Sequence, residues 1–398
     1  MNELQKRTWA EISLQNIEHN YRAIRAVLPE RCRFLGVVKA DAYGHGALRV
    51  AQLLQSCGAD YLAVSCLDEA LELRDGGIGM PILILGHTPY QYTETLIDNR
   101  ITQTVTCLAK AVEYSREAQR LGKELKIHIK VDTGMSRLGF LCGHSATSPE
   151  TENSETENSA AEGPGVETTE EEGPAHIAES CSLPGLIHEG IYTHFAVSDE
   201  EGEENRTYTR KQFDLFMHVI GVLEEKYGIT FPIRHCANSG AVVGYPETCL
   251  DMVRPGLLLY GYGDPSGKLG LRPCMRLVTT VSTIKYYEPG TSVSYGRRYV
   301  TDRKTRMGVL AIGYADGLHR AASGKCSFYT PWGSTPQRGS ICMDMCMCDL
   351  TDVYQAEVGA EVEIFGEHAD IGVLSEAAGT IPYELLCSVT KRVPRVYK

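Results

Sequence analysis

A chain of 398 residues is too long for one ordinary domain and has room for a barrel of ~250 residues beside a second domain of ~120. Its 43% hydrophobic and 23% charged residues fit a soluble globular fold, and no apolar run approaches the ~20 residues of a membrane-spanning helix. The net charge of −12 argues against nucleic acid, whose phosphates need clustered Lys and Arg.

The opening segment, MNELQKRTWAEISLQ, has neither the apolar stretch nor the cleavage site of a signal peptide, so a cytoplasmic location is expected. Fourteen scattered cysteines without framework spacing are expected to stay reduced. Residues 8–14 read as a strand able to join a C-terminal sheet, ahead of a helix capped by Ser13. Eight apolar, β-branched runs then follow, at 34–38, 61–65, 82–86, 101–105, 127–131, 190–195, 233–237 and 256–261. Between them lie segments with apolar residues at helical spacing, several ending in Gly as a C-cap would. Strand alternating with helix eight times predicts an α/β fold, a (β/α)8 TIM-type barrel over residues 1–270. From 271 to 398 closely spaced alternating strands, among them VTTVSTIKYYEPGTSVSYG and SICMDMCMCDL, predict a β-rich domain. Residues 142–182 fit neither pattern. Nine Glu and no Lys or Arg stand between Glu150 and Glu172, which predicts an acidic surface insertion with too little apolar surface to pack.

Barrel chemistry is expected where the strands end at their C-terminal side. Lys39 follows the first run, Lys130 and Arg137 lie on and after the fifth, His194 ends the sixth, Asn238 and Ser239 follow the seventh, and Arg254 with Gly256 opens the eighth. A Lys leaving a buried strand can be desolvated enough to act as a neutral amine. Taken alone such a Lys is more often a solvated strand-end charge. The even spacing of Cys342, Cys346 and Cys348 puts them on one strand face, where core packing is expected rather than metal.

The run VVKADAYGHGA, from Val37 to Ala47, resembles the cofactor-lysine signature of alanine racemases. The likeness extends through KVDTGMSRLGF, EGIYTHFA, HCANS, DMVRPG, VSYG, IGYADG, ICMD, IPYELLC and RVPR, in that family's order. The resemblance implies pyridoxal 5′-phosphate bound as a Schiff base to Lys39, which would also serve as one of two bases. It places Tyr43, Ser239, the amides near Gly256 and Leu257, and Tyr383 on the phosphate, with Asn238 and His194 among the cofactor contacts. It sets Arg254 against the pyridine nitrogen. Because an Arg donates but does not surrender its proton, that nitrogen would stay unprotonated and the ring would be a weaker electron sink. Arg137 would orient the substrate carboxylate or the Tyr295 phenol, and Lys130 would carry a carbamate able to pair with it. Tyr295 would be the second base, reaching the site with Met343 and Asp344 from the other subunit of a homodimer with shared active sites. The implied activity is interconversion of L- and D-alanine, supplying D-alanine for cell-wall peptide. Serine or a broader set of amino acids is an alternative substrate range, and a cofactor-dependent decarboxylase or a non-catalytic cofactor carrier are the competing classes.

Overall fold

The computed structural model describes residues 7–142 and 172–398. Eight short parallel strands, Arg33–Val37, Tyr61–Val64, Ile82–Ile84, Ile101–Val105, Leu125–Asp132, Leu186–Tyr192, Ile233–His235 and Met252–Val253, pair in chain order, and the last pairs with the first. The Asp251 amide donates to Arg234 O (3.0 Å) and that of Arg254 to Ala237 O (2.9 Å), which closes the ring. These strands are buried along nearly their whole length, as a sheet covered on both faces requires. Their helices end as the glycines predict: Gly58, Gly122 and Gly228 each take a left-handed C-cap conformation that a side chain would resist. The Ser13 hydroxyl accepts from the Asn16 amide and starts the first helix, Leu14–Val27.

The second domain is built on the long strand Met275–Tyr287. Its first part pairs with Glu361–Phe365 and its last part with Thr305–Leu310, so the intervening strands close on themselves. Strand Thr8–Ile12 adds to it antiparallel and pairs in parallel with Arg395–Tyr397, bringing both ends of the chain onto this sheet. Short helices at Ile371–Ala378 and Pro382–Ser388 complete the domain. Cys346 and Cys348 are fully buried in its core, but Cys342, expected on the same strand face, precedes their strand, Cys346–Asp349, and is only half-buried.

Two further expectations need correction. The eighth barrel strand is Met252–Val253, and the apolar run at 256–261 forms instead a tight 3-10 turn, Leu257–Tyr260, with every residue buried. A short apolar run reads alike as buried strand or buried turn, and Pro255 ends the strand before it. The acidic surface insertion expected over 142–182 also excludes both ends of that range. Cys142 is buried, and Gly173–Ser182 is a helix with Pro174 in its first turn and Ile177, Ala178 and Cys181 in the core. The Glu-rich composition belongs to residues outside the described ones, and averaging it over AHIAESCS hid an apolar pair at i, i+4. Accordingly Ile177→Ala should cost ~2–5 kcal/mol in equilibrium denaturant unfolding, the usual range for a fully buried aliphatic residue; a change near zero would mean that this helix does not dock.

Candidate active site

Lys39 begins a single turn, Lys39–Tyr43, that runs the wrong way round. Ala40, Asp41, Ala42 and Tyr43 all have φ between 52° and 54°, a left-handed conformation that costs ~1–2 kcal/mol per non-glycine residue. Such strain persists only where the surroundings over-determine it, and the partners are visible. One Glu69 carboxylate oxygen takes the Ala40 amide (2.7 Å) and the other the Ser65 amide (2.7 Å). The Asp41 carboxylate takes the Ala47 amide (2.7 Å). Buried His45 donates from Nδ1 to the carbonyls of Ala42 (3.0 Å) and Tyr43 (2.9 Å) and stacks on Tyr260 at 4.5 Å. Burial, and then the nearby Arg137 cation, holds the Lys39 amine below its ordinary pKa, so more of it is neutral and nucleophilic at a given pH.

Beside this turn lies a group of hydroxyls and amides. Ser239 Oγ accepts from the amides of Gly256 (3.0 Å) and Leu258 (3.5 Å). The Tyr43 hydroxyl sits so close to the Gly256 Cα that an added Cβ would come within 2.6 Å of it. Tyr43 packs on Tyr260 (4.9 Å), whose hydroxyl donates to Val37 O (2.8 Å). Burial, and then Asp199, raises the Tyr383 phenol to about 12, keeping it a donor. Asn238 is occupied in positioning Ser239: its oxygen accepts from the Ala241 amide (3.1 Å) and the Ser198 hydroxyl (2.7 Å). Leu257 contributes a buried side chain to the core, and it is the next amide, that of Leu258, that faces Ser239.

Arg254, 4% exposed, anchors the inner wall. Its guanidinium donates to Thr193 O (2.7 Å), Cys236 O (3.1 Å), His235 Nδ1 (3.0 Å) and His194 Nδ1 (3.3 Å) and lies 5.1 Å over the Tyr192 ring. Because the group can only donate, both histidines must accept at Nδ1 and carry their proton on Nε2. His235 Nε2 then donates to His128 Nδ1 (2.9 Å), which leaves the His128 proton on Nε2, 3.5 Å from the Glu189 carboxylate. That last separation is too long for a good hydrogen bond and acts chiefly through charge. Burial followed by Arg254 pushes His194 and His235 well below the usual imidazole range, in keeping with neutral rings. His128 and Lys126 hold Glu189 down at about 2 despite its partial burial.

Lys130 is 4% exposed, with its amine 5.7 Å from the Tyr192 ring. Burial, then Arg137 and Arg254, lowers it to about 8. Arg137 leaves the barrel on a loop fixed by Asp132, whose carboxylate takes the amides of Gly134, Ser136 and Arg137 at 2.9–3.1 Å. The remaining sequence candidates stand apart from this cluster. Tyr295 is 71% and Met343 53% exposed, on neighbouring loops of the second domain joined by Ser340 Oγ to Tyr295 O (2.8 Å). Asp344 pairs with Arg392 (2.6 Å) and receives Arg7 on its carbonyl (3.1 Å).

The model of the alanine racemase N-terminal domain matches residues 12–148 and 165–264, and that of the C-terminal domain matches 274–397. The chain belongs to the alanine racemase family. An alanine racemase of Clostridium perfringens is 42% identical over 98% of this chain and 95% of its own. The solved alanine racemase of Clostridium difficile superposes with a TM-score of 0.87 at 37% identity, covering all of this chain and 97% of its own. A second structure of that racemase, in complex with cycloserine, gives 0.85 at 36%, over 99% and 96% of the two chains. The family's fold is the one described above, a barrel of parallel strands followed by a β-rich domain. No helix among the described residues is long and apolar enough to cross a membrane.

Sequence reasoning did not find Glu69, His45, His235, His128 or Tyr314. His45, His235 and Tyr314 stand inside the family motifs, so a signal existed; Glu69 follows a Cys-Leu-Asp run with nothing to mark it. Tyr314, 43% exposed, donates its amide to Cys342 O (3.0 Å) and so shares the loop cluster of Tyr295 and Met343. Burial of His45 holds it at about 4 when folded, against ~6.5 unfolded. The folded state therefore favours the neutral ring, and the associated stability is complete above pH ~6.5 and lost as pH falls toward 4. His45→Gln should flatten the stability profile in that window by up to ~1.4 kcal/mol per pH unit; denaturant titrations at pH 4.5 and 7 with equal losses in both proteins would contradict this.

Proposed function

We propose that this chain interconverts L- and D-alanine with pyridoxal 5′-phosphate held covalently at Lys39, in a homodimer whose sites each take Tyr295 from the partner. The observation that carries the reading is the meeting, at one mouth of the barrel, of a lysine with a burial-lowered pKa, a hydroxyl and amide cradle, and a buried donor-only Arg254. The cradle fits a phosphate, whose oxygens only accept: Tyr43, Ser239, Tyr383 and the Leu257 amide offer donors, the Gly256 and Leu258 amides hold Ser239 Oγ as an acceptor and leave its own proton to donate, and Gly256 leaves room where a Cβ would collide with the Tyr43 hydroxyl. Bound there, the cofactor supplies a conjugated ring that accepts the electron pair left when the substrate Cα loses its proton.

The residues divide the remaining work. Arg254 would face the ring nitrogen of the bound cofactor as a donor that cannot surrender its proton, so that nitrogen would stay unprotonated and the ring a weaker electron sink. His194 has its proton held on Nε2 by Arg254. Arg137 presents a planar fork to the substrate carboxylate or to a phenolate. Lys130, buried among cations with a pKa of about 8, keeps a neutral fraction able to take up carbon dioxide; the carbamate formed, with release of one proton, replaces a cation by an anion facing Arg137. Asn238 holds Ser239 in line.

Racemisation removes a proton from one face of Cα and delivers one to the other. The Lys39 amine serves one face. The opposite face needs a second group, and the high exposure of Tyr295, Met343 and Tyr314 on one edge suits a surface covered by a second subunit, with Asp344 carried along. Incubation with L-alanine in deuterated water should yield D-alanine labelled at Cα; ethylamine would indicate a decarboxylase, and no turnover a carrier. Tyr295→Phe should retain the cofactor yet lower kcat by ~10² or more in both directions. Unchanged turnover would remove Tyr295 from the reaction.

A further inference from the structure

The RVPR run has no part in the chemistry above, yet its Arg395 reaches the turn that carries Lys39. Nε donates to Gly44 O (2.9 Å), Nη1 to Thr390 O (2.6 Å) and Val393 O (2.7 Å), and Nη2 to Val389 O (2.7 Å). All of these acceptors are backbone carbonyls. A guanidinium used in this way sets geometry, because its planar fork holds the acceptors at fixed angles where an ammonium would not.

The acceptor on the barrel side is the decisive one. Gly44 closes the left-handed turn: its amide donates to Ala40 O (3.0 Å), and its φ of 78° continues the same hand. The main chain at Leu386 packs on Gly44 so tightly that a Cβ there would collide with Leu386 O, and the Tyr397 hydroxyl lies equally close over Gly46. Arg49 in turn covers the Tyr397 ring at 5.1 Å. Thus Glu69 fastens the entry of the turn from within the barrel, and the last segment of the second domain fastens its exit.

We propose that Arg395 is a positioning residue for Lys39: by holding Gly44 O it locks the left-handed turn and makes the placement of the Lys39 amine depend on the second domain. The inference rests on the reading of Lys39 as the cofactor lysine. When that amine is loaded, its nitrogen bonds to the aldehyde carbon of pyridoxal phosphate, and the aldehyde oxygen leaves as water with the two amine protons. The rate of this step reports how well the amine is presented.

The test compares full-length protein with Arg395→Met and Arg395→Lys. Hydrogen exchange is followed by peptide in the loaded protein, and after cofactor removal the rate of reattachment at Lys39 is followed by borohydride trapping and peptide mass spectrometry. In Arg395→Met the amides within 39–47 should exchange ~10-fold faster or more while Leu125–Asp132 keeps its protection, and reattachment should slow ~10-fold. Arg395→Lys, which keeps the charge and fewer aligned donors, should fall between and supplies the same readouts if Arg395→Met does not fold. Faster exchange confined to 389–397, or an unchanged reattachment rate whatever the exchange, overturns the proposal and leaves Arg395 a brace of its own segment. Trapping at a lysine other than Lys39 in the parent protein would instead sink the reading of Lys39, a result distinct from either.

Discussion

Four successive non-glycine residues at positive φ, Ala40 to Tyr43, are a constraint on which the rest of the site depends. A strand ending in a right-handed helix would carry the side chain after Val38 away along the helix. The left-handed turn keeps Lys39 at the strand end, and it returns the chain so that Tyr43 meets Gly256. The conformation is costly, so it has to be held from several directions: Glu69 from the neighbouring helix, His45 from below, and Tyr260 from the eighth barrel unit. Strain concentrated at one segment and supported by well-packed surroundings is the usual arrangement where a reactive side chain must be presented in one orientation.

A second constraint runs through the barrel interior. Arg254 brings a permanent cation into the core, and its neighbours are carbonyls, an aromatic face and imidazole nitrogens. Because a neutral imidazole carries its proton on one nitrogen only, the donor-only guanidinium sets the protons of His194 and His235 on Nε2, and His235 in turn sets that of His128. Glu189, kept ionised by His128 and Lys126, terminates the series at the far end. Dipoles aligned in this way lower the cost of the buried charge without a direct ion pair.

Much of this was legible in the sequence, for physical reasons. Strand and helix periodicities repeat around the barrel, Ser13 caps as its type predicts, and glycines end helices where left-handed φ is needed. The chemistry-bearing residues at the strand ends follow from the architecture, since only one end of a parallel barrel gathers all the loops. The left-handed turn was not legible: Ala, Asp, Ala and Tyr do not favour it, and it exists through contacts from Glu69 and Arg395 that are remote in the chain. The helix Gly173–Ser182 was lost because composition was averaged across a boundary, and the eighth strand because Leu257–Tyr260 is as apolar in a buried turn as in a sheet. The role of Arg395 is not legible in the sequence either, because nothing local shows that carbonyls surround it.

The two domains are joined at Arg395 and at Thr8–Ile12 within one chain, whereas the proposed function has a second chain cover the exposed edge that bears Tyr295. Mixing Lys39→Ala subunits with Tyr295→Phe subunits, each expected to keep at most ~1% of the turnover alone, tests this most directly. If the site is composite, each heterodimer holds one site lacking both groups and one intact, and regains about half the turnover of a native dimer. If Tyr295 serves the barrel of its own chain, every site in the mixture is damaged and no activity returns.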